Sequence, residues 1–298
     1  MGLLSSQSAG ALGLYYRLNP GDRYTLIFSL NQQTRSDSYS DEDLSMSNQM
    51  KWHIRVDSLR KDGAIYLRLH YADLQLSMLA PGMGIDLNSS RNENRMLKNL
   101  TDSLENKDFH VLMDPNGTLL ELHGMEELFA PLYRYPASDS SEKRTVVLTL
   151  EEAYGADTFR SLFGLFISVY PLMPMQENWT RDMRYFFNSK PVPLSNSYIL
   201  NKVGPEGNLI QGIGMLEKDK RFREHSEMGE LSSAVSGSQT YDYLMDPITG
   251  WPKRCNSRQR ILIETTILES NHLPVGLKIP SYTETTFDIR GETSRKNE

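Results

Sequence analysis

The tetrapeptide Leu-Met-Asp-Pro occurs twice in this chain, at residues 112–115 and 244–247. Each copy is followed within a few positions by a glycine. Aspartate can accept hydrogen bonds from the backbone of a turn, proline fixes φ near about −65°, and glycine adopts the positive φ that such turns require. The two surrounding segments, 109–122 and 241–255, are therefore predicted to be antiparallel hairpins.

Much of the remaining chain alternates apolar with polar residues, which is the pattern of strands that are buried on one face. Residues 23–30 and 64–78 show this alternation, and Gly63 and Gly207 mark two further hairpin turns. Such segments number about eleven or twelve along the chain. We therefore predict an α+β fold, in which a large curved antiparallel β-sheet packs against two or three helices.

Three segments have the period of a helix instead. Residues 89–106 begin with a Ser-x-x-Glu capping box, and residues 125–132 are predicted to form a short helix. Residues 150–169 are apolar on most of their surface and are followed by Pro171, which ends a helix. This last segment is expected to form one helix that covers the sheet.

The parts of the chain recur in the same order in its two halves. Each half has a strand, a hairpin with a glycine turn, an insertion and the Leu-Met-Asp-Pro hairpin. The second insertion, 218–238, is predicted to be a polar, mobile loop. The recurrence indicates an internal duplication of one β-unit, and the alternative is that two Asp-Pro turns match by chance. The predicted boundaries, within one structural domain, are a flexible arm at 1–13, a first β-rich half at 14–135, a linker and covering helix at 136–173, a second β-rich half at 174–290 and a tail at 291–298.

Composition limits the classes of partner. The chain of 298 residues is 39% hydrophobic and 23% charged, which is typical of a folded soluble protein. Its net charge is −6 with acidic and basic residues interspersed, so nucleic acid is not an expected partner. No apolar run approaches the length of about 20 residues that a membrane span needs, so no transmembrane segment is predicted. The N-terminus does not form a complete signal peptide.

The residues that usually carry chemistry do not form a known motif here. The six histidines lack metal-ligand spacing, although His53 and His70 could meet across neighbouring strands. No serine lies in a nucleophile elbow, and the single cysteine, Cys255, rules out an internal disulfide and a cysteine zinc cluster. We therefore predict no catalytic residue, no metal site and no cofactor, and expect a protein that is not an enzyme.

Aromatic residues suggest where a ligand could bind. A large sheet that curves around helices can leave an apolar concavity, and concave apolar surfaces bind ligands. Trp179, Tyr198 and Trp251 lie on predicted strands of the second half. They are the candidate ligand-binding residues, and the alternative is that they fill the core.

Four segments carry a resemblance to a known family: 18–24, 109–124, 174–179 with the strand after it, and 246–251. In them the chain resembles an uncharacterised family, a domain of unknown function, of secreted Bacteroidota envelope proteins, many with lipoprotein signals. The resemblance implies a location in the cell envelope, in the periplasm or anchored at the outer membrane, and implies no site residue. This chain lacks a lipid-acceptor cysteine near its start, so anchoring would need a lipid-bearing N-terminus absent from it. A curved sheet covered by helices is also loosely similar to periplasmic lipoprotein carriers.

Three functional hypotheses follow. The first is a non-enzymatic envelope protein that binds a lipid or another hydrophobic or amphipathic ligand on its concave sheet. The second is a surface protein that binds other envelope proteins or glycans through an exposed apolar patch. The third is a hydrolase whose residues assemble only in three dimensions, in a cleft with perturbed carboxylates or histidines.

Overall fold

The computed structural model describes residues 14–36, 44–80, 83–88, 102, 104–105, 107–134, 141–173, 178–187, 190–217, 221–226 and 229–294. Within these residues, 13 strands form one sheet that packs against three helices. The strands are β1 (Arg23–Ser36), β2 (Leu44–Leu59), β3 (Ile65–Ala80), β4 (Met83–Asn88), β5 (Phe109–Met113), β6 (Leu119–His123), β7 (Asn178–Phe187), β8 (Lys190–Lys202), β9 (Asn208–Leu216), β10 (Arg221–Ser226), β11 (Gly229–Met245), β12 (Pro252–Glu269) and β13 (Lys278–Ser294). The helices are α1 (Met125–Arg134), α2 (Ser141–Tyr154) and α3 (Ala156–Ile167).

The sheet is antiparallel throughout and follows the chain almost consecutively. Its order is β6-β5-β3-β2-β1-β13-β12-β11-β9-β8-β7, with β4 paired to β3 and β10 paired to β11. The pairing of β1 with β13 is the long-range step, and it joins the two halves into one sheet. The predicted α+β class with a large antiparallel sheet is therefore confirmed. The duplication and the domain boundaries stay predictions.

The prediction of a mobile loop at 218–238 was wrong. The described residues of this segment, 221–226 and 229–238, lie in the paired strands β10 and β11, and Phe222 and Val235 are buried against neighbouring strands. The serines and glycines that suggested a loop lie in β11. Gly237 is needed there because a Cβ atom would lie 2.4 Å from the carbonyl oxygen of Arg260 in β12. The small residues thus allow close strand approach, which composition alone does not reveal.

The helical predictions were partly correct. The short helix predicted at 125–132 is present as α1. The single helix predicted at 150–169 is instead α2 and α3, separated at Gly155, whose backbone is extended (φ −74°, ψ −179°). The helix predicted at 89–106 falls largely outside the described residues. None of the helices in the described part of the chain combines the length and apolarity needed to cross a membrane.

Helix α3 lies against the concave face of the sheet. It contacts β6 and β7, which are the two edge strands of the main sheet path, and also β12 in its interior. A sheet whose two edges and middle all touch one helix must curve around it. The buried side chains of α3 include Phe159, Phe163 and Phe166, which join the main hydrophobic core. The helix therefore fills a large part of the concavity.

Both Leu-Met-Asp-Pro segments form turns, as predicted. In the first turn, the Asp114 carboxylate accepts hydrogen bonds from the backbone amides of Asn116 and Thr118, at 2.9 and 2.7 Å. In the second, the Asp246 carboxylate accepts hydrogen bonds from the amide and the hydroxyl of Thr249, at 2.8 and 3.0 Å. The aspartates thus hold the turns by the side-chain-to-backbone bonds that the sequence indicated.

The two turns come together at one end of the sheet, around the residues that follow α3. Residues 167–170 lie between the turns at 114–118 and 246–251. The Ser168 hydroxyl donates to a carbonyl of the first turn at 2.8 Å, and the Tyr170 hydroxyl donates to a carbonyl of the second at 2.7 Å. We call these three segments the plugged end, because the end of α3 closes the concavity there.

The N-terminal segment bridges the same two turns. The Tyr16 amide donates to the Pro115 carbonyl at 2.8 Å, and the Arg17 amide donates to the Thr249 carbonyl at 2.7 Å. The Tyr16 hydroxyl also donates to the Ile167 carbonyl at 2.8 Å. Two distant parts of the chain are thereby fixed to each other and to the end of α3.

Candidate functional site

A cavity of about 380 Å³ lies between the sheet and the helices, beyond the plugged end. Its walls come from β1–β3 on one side and from β7, β8 and β11–β13 on the other, and α2 and α3 cover it. Strands of both halves therefore contribute to one continuous space. The volume falls within the range of roughly 300–1,000 Å³ that small-molecule sites occupy.

The cavity walls are largely apolar. Leu30 and Met46 reach it from the first half of the sheet, and Met183 reaches it from β7. All three are partly buried and pack against the main core. Leu162 and Leu165 of α3 form the opposite wall and are 6% and 5% exposed. The cavity is thus a gap in the packing between α3 and the sheet, and core-type side chains form part of its lining.

Two of the described residues that line the cavity are charged, Glu152 and Arg184. Both side chains are exposed, so they lie at the rim of the cavity. Burial raises the pKa of Tyr185, a third lining residue, to about 12, so its phenol is neutral at physiological pH. The described lining residues therefore place no formal charge in the interior of the cavity. Glu152 is the only carboxylate among them.

A row of uncharged polar side chains crosses the wall that the sheet forms. Gln32, Thr285, Gln259 and Gln239 are direct cross-strand partners on β1, β13, β12 and β11. All four line the cavity, and we call them the polar row. Thr285, Gln259 and Gln239 are 2%, 5% and 2% exposed. The sequence did not suggest these residues as a site, because polar residues on a strand are usually read as facing water.

The three candidate aromatic residues lie elsewhere. Trp179, Tyr198 and Trp251 are 4%, 2% and 1% exposed and belong to the main core. The Trp179 indole donates to the carbonyl of Val169 at 2.7 Å, and Trp251 stacks on Tyr24 with ring centroids 4.4 Å apart. None of the three is among the residues that line the cavity. Their role in ligand binding stays a prediction.

Two histidines do meet across neighbouring strands, on the convex face. His53 and His70 are cross-strand partners on β2 and β3, and their rings are 5.2 Å apart. Burial lowers the pKa of His53, and the nearby His70 and Lys51 lower it further. The His70 Nδ1 atom lies 3.5 Å from a carboxylate oxygen of Asp108. Among the described residues, no group of three or more histidines, cysteines, aspartates or glutamates is arranged to hold a metal ion.

The surroundings of the single cysteine make its thiol unreactive. Cys255 is fully buried in β12, and this burial raises the pKa of its thiol well above the ordinary value. The thiolate needed for nucleophilic attack is therefore disfavoured, and Cys255 acts as part of the core.

Comparison with protein families identifies the group to which the chain belongs. The model of a family described as "Family of unknown function (DUF6263)" matches residues 62–252, which is more than half of the chain. The chain belongs to this family. The region that matches the DUF6263 model runs from the turn before β3 to the start of β12. It includes both Asp-Pro turns and all three helices. The resemblance to an uncharacterised family is thereby confirmed.

Comparisons with individual proteins gave only distant structural matches to this DUF6263 protein. A search of curated proteins gave no match. A structure on lipid–protein interactions in lipovitellin aligns with 95% of this chain at 9% identity and a TM-score of 0.49, and the chain spans only 26% of that protein's length. An outer membrane channel from Pseudomonas putida F1 aligns at 12% identity and a TM-score of 0.22, over 94% of this chain and 98% of the channel. A LolA superfamily protein from Nitrosomonas europaea aligns at 8% identity and a TM-score of 0.14, over 91% of this chain and 87% of that protein.

Proposed function

We propose that this DUF6263 protein binds a hydrophobic or amphipathic ligand, such as a lipid chain, in the cavity between the concave face and helices α2 and α3. It does so without catalysing a reaction. The observation that carries the proposal is the cavity itself, which has a mainly apolar surface and is walled by strands of both halves.

The architecture suits an apolar ligand that enters from one direction. Hydrogen bonds from Ser168 and Tyr170 to the two turns close the plugged end, which favours access from the opposite side. Glu152 and Arg184 line the cavity and are exposed, so the cavity reaches solvent beside them. A ligand would thus pack its apolar part against Leu30 and the leucines of α3.

The expected strength of binding follows from the area that an apolar chain would bury. Each methylene group removed from water contributes about 0.8 kcal/mol. A chain of about ten methylenes therefore gains roughly 8 kcal/mol before the entropic cost of association is subtracted. Binding in the micromolar range or weaker is expected from burial alone, and additional polar contacts would tighten it.

The proposed location is the cell envelope, either in the periplasm or anchored at the outer membrane. This part of the proposal is supported by the sequence resemblance to secreted envelope proteins and by the ligand class, since lipids and lipid-modified proteins are abundant there. Fractionation of the native cells, with this protein followed by antibody, would test it. Recovery in the cytoplasmic fraction would contradict it.

A second candidate function is supported by a separate observation. Ile199, Ile213 and Met215 project from the convex face of β8 and β9 and are 44%, 58% and 47% exposed. Exposed apolar side chains on neighbouring strands are typical of a surface that binds another macromolecule. Binding of an envelope protein or a glycan at this surface is therefore the alternative to a ligand in the cavity.

Replacing Leu30 by tryptophan should weaken ligand binding about tenfold, because the larger side chain would occupy the apolar space in which the ligand lies. Binding would be followed by the fluorescence of N-phenylnaphthylamine, an uncharged apolar probe. Met183→Trp, on the opposite wall, should have a similar effect and covers the case in which one variant folds poorly.

Ile213→Trp is the matched control, since it adds the same side chain to the convex face. It should leave the affinity for the probe unchanged. The proposal would be overturned if the unmodified protein did not bind the probe, or if Ile213→Trp weakened binding while Leu30→Trp and Met183→Trp did not. The latter result would favour the convex surface instead.

A further inference from the structure

We propose that the head group of the ligand is uncharged and carries a hydrogen-bond donor, as a hydroxyl or a primary amide does, and that Asn48 and the polar row bind this head group inside the cavity. This inference rests on the proposed function and deepens it by naming the class of ligand. It is carried by an unpaired buried acceptor beside a row of uncharged polar groups.

The polar row is held in place by hydrogen bonds within the sheet. The Gln259 amide donates to the side-chain oxygen of Gln239 at 3.2 Å, and the Gln239 amide donates to the Ser257 hydroxyl at 2.8 Å. At the other end of the row, the Thr285 hydroxyl donates to the side-chain oxygen of Gln32 at 3.4 Å. Buried polar groups are costly unless they are paired, and three of the four, Thr285, Gln259 and Gln239, are buried. Their place in register on the wall of the cavity needs an explanation. Recognition of a polar group on the ligand provides one.

Asn48 supplies the acceptor that lacks a partner. It lines the cavity, is 2% exposed, and pairs with Leu30 on β1, two residue pairs away from Gln32. No described residue donates a hydrogen bond to its side-chain oxygen. An unpaired buried acceptor lowers the stability of the folded protein, and a hydroxyl or amide N–H on the ligand would supply the missing hydrogen bond.

Electrostatics exclude a charged head group from the same position. The described lining residues carry charge only at Glu152 and Arg184, and both are exposed at the rim. A carboxylate or phosphate placed beside Asn48 would lose its hydration without gaining a cation, which is strongly unfavourable. A charged head would remain near Arg184, whereas an uncharged donor can reach the polar row.

The test compares lauryl alcohol and lauramide with methyl laurate, which has the same chain but only acceptors in its head group. Each would be titrated against N-phenylnaphthylamine bound to the full chain. We expect the alcohol and the amide to bind about tenfold more tightly than the ester, which corresponds to ~1.4 kcal/mol. In Asn48→Leu this preference should fall to about twofold or less, with the affinity for the apolar probe retained. The same variant should raise the melting temperature of the ligand-free protein, since it removes an unpaired buried acceptor.

Asn208→Leu is the matched control, because Asn208 is 4% exposed, also has an unpaired side-chain oxygen, and does not line the cavity. It should keep the full preference for the alcohol. Equal binding of alcohol and ester to the unmodified protein would overturn this inference while leaving the proposed function intact. The inference would also be overturned if laurate bound more tightly than the alcohol and the amide, and if Arg184→Met removed this advantage. Absence of any probe binding would overturn both.

Discussion

Arg181→Met should lower the free energy of unfolding by about 3 kcal/mol. Arg181 lies in β7, an edge strand of the main sheet path, and is only 5% exposed. Its guanidinium donates to the carbonyl of Tyr170 at 2.6 Å and to the Thr118 hydroxyl at 2.9 Å, with a longer bond to the carbonyl of Asn116 at 3.4 Å. One side chain therefore joins one edge of the sheet, the turn beside the other edge and the residues after α3.

Methionine would keep most of the apolar volume of the arginine but none of its donors. The acceptors at the plugged end would lose their partners, and hydrogen bonds to a charged donor are worth more than those between neutral groups. Burial lowers the pKa of Arg181, and the nearby carboxylate of Asp114 acts in the opposite direction, so the side chain remains a cation. The substitution thus removes a buried charge that donates three hydrogen bonds.

Urea unfolding monitored by circular dichroism would measure the effect. The control is Arg184→Met, three residues further along the same strand, where the side chain is exposed. Its free energy of unfolding should change by no more than about 0.5 kcal/mol. Equal changes in the two variants would contradict the role of Arg181 in holding the sheet edges together.

Gly117→Ala should destabilise the protein by about 3 kcal/mol, about 1 from the backbone conformation and about 2 from steric overlap. Gly117 has φ +86°, and a Cβ atom there would lie 2.1 Å from the carbonyl oxygen of Ile167. That oxygen belongs to the end of α3, which is itself held by Tyr16. Neither partner can move without disturbing the plugged end.

Gly276→Ala separates the two contributions. Gly276 has φ +84°, almost the same as Gly117, but nothing lies within 4 Å of a Cβ built on it. Its substitution should cost only about 1 kcal/mol. Thermal unfolding of both variants would measure the difference, and a loss for Gly117→Ala no larger than that for Gly276→Ala would show that α3 does not pack tightly against the first turn.

The parts of the fold governed by local chemistry could be predicted from the sequence. The two Asp-Pro turns follow from side-chain-to-backbone bonds of Asp114 and Asp246, which depend on residues no more than four positions away. The alternating strands and the α+β class follow from periodicity in the same way. What these patterns could not show is that the two turns lie on either side of residues 167–170, since that arrangement depends on the curvature of the whole sheet.

The cavity could not be predicted from the sequence either, because it also depends on how the whole sheet curves. Whether a concave residue faces α3 or an empty space depends on where the helix begins, and the break at Gly155 was not predicted. Gln239 and Gln259 look like solvent-facing strand residues, and only the curved sheet with its helical cover buries them. Trp251 was a candidate ligand contact because it was predicted to lie on a strand of the second half, with core packing as the alternative. It stacks on Tyr24 in the core.

The central claim is that an apolar ligand lies between α3 and the concave face. Photolabelling tests it most directly: the protein would be irradiated with a fatty alcohol carrying a diazirine in its chain, and the labelled residues would be mapped by peptide mass spectrometry. We predict labels on residues of β1, β13 and α3 that line the cavity, such as Leu30, Phe287 and Leu165, and their loss in the presence of excess lauryl alcohol. Labels confined to the convex face around Ile199 and Ile213, or labelling unaffected by the competitor, would contradict the account.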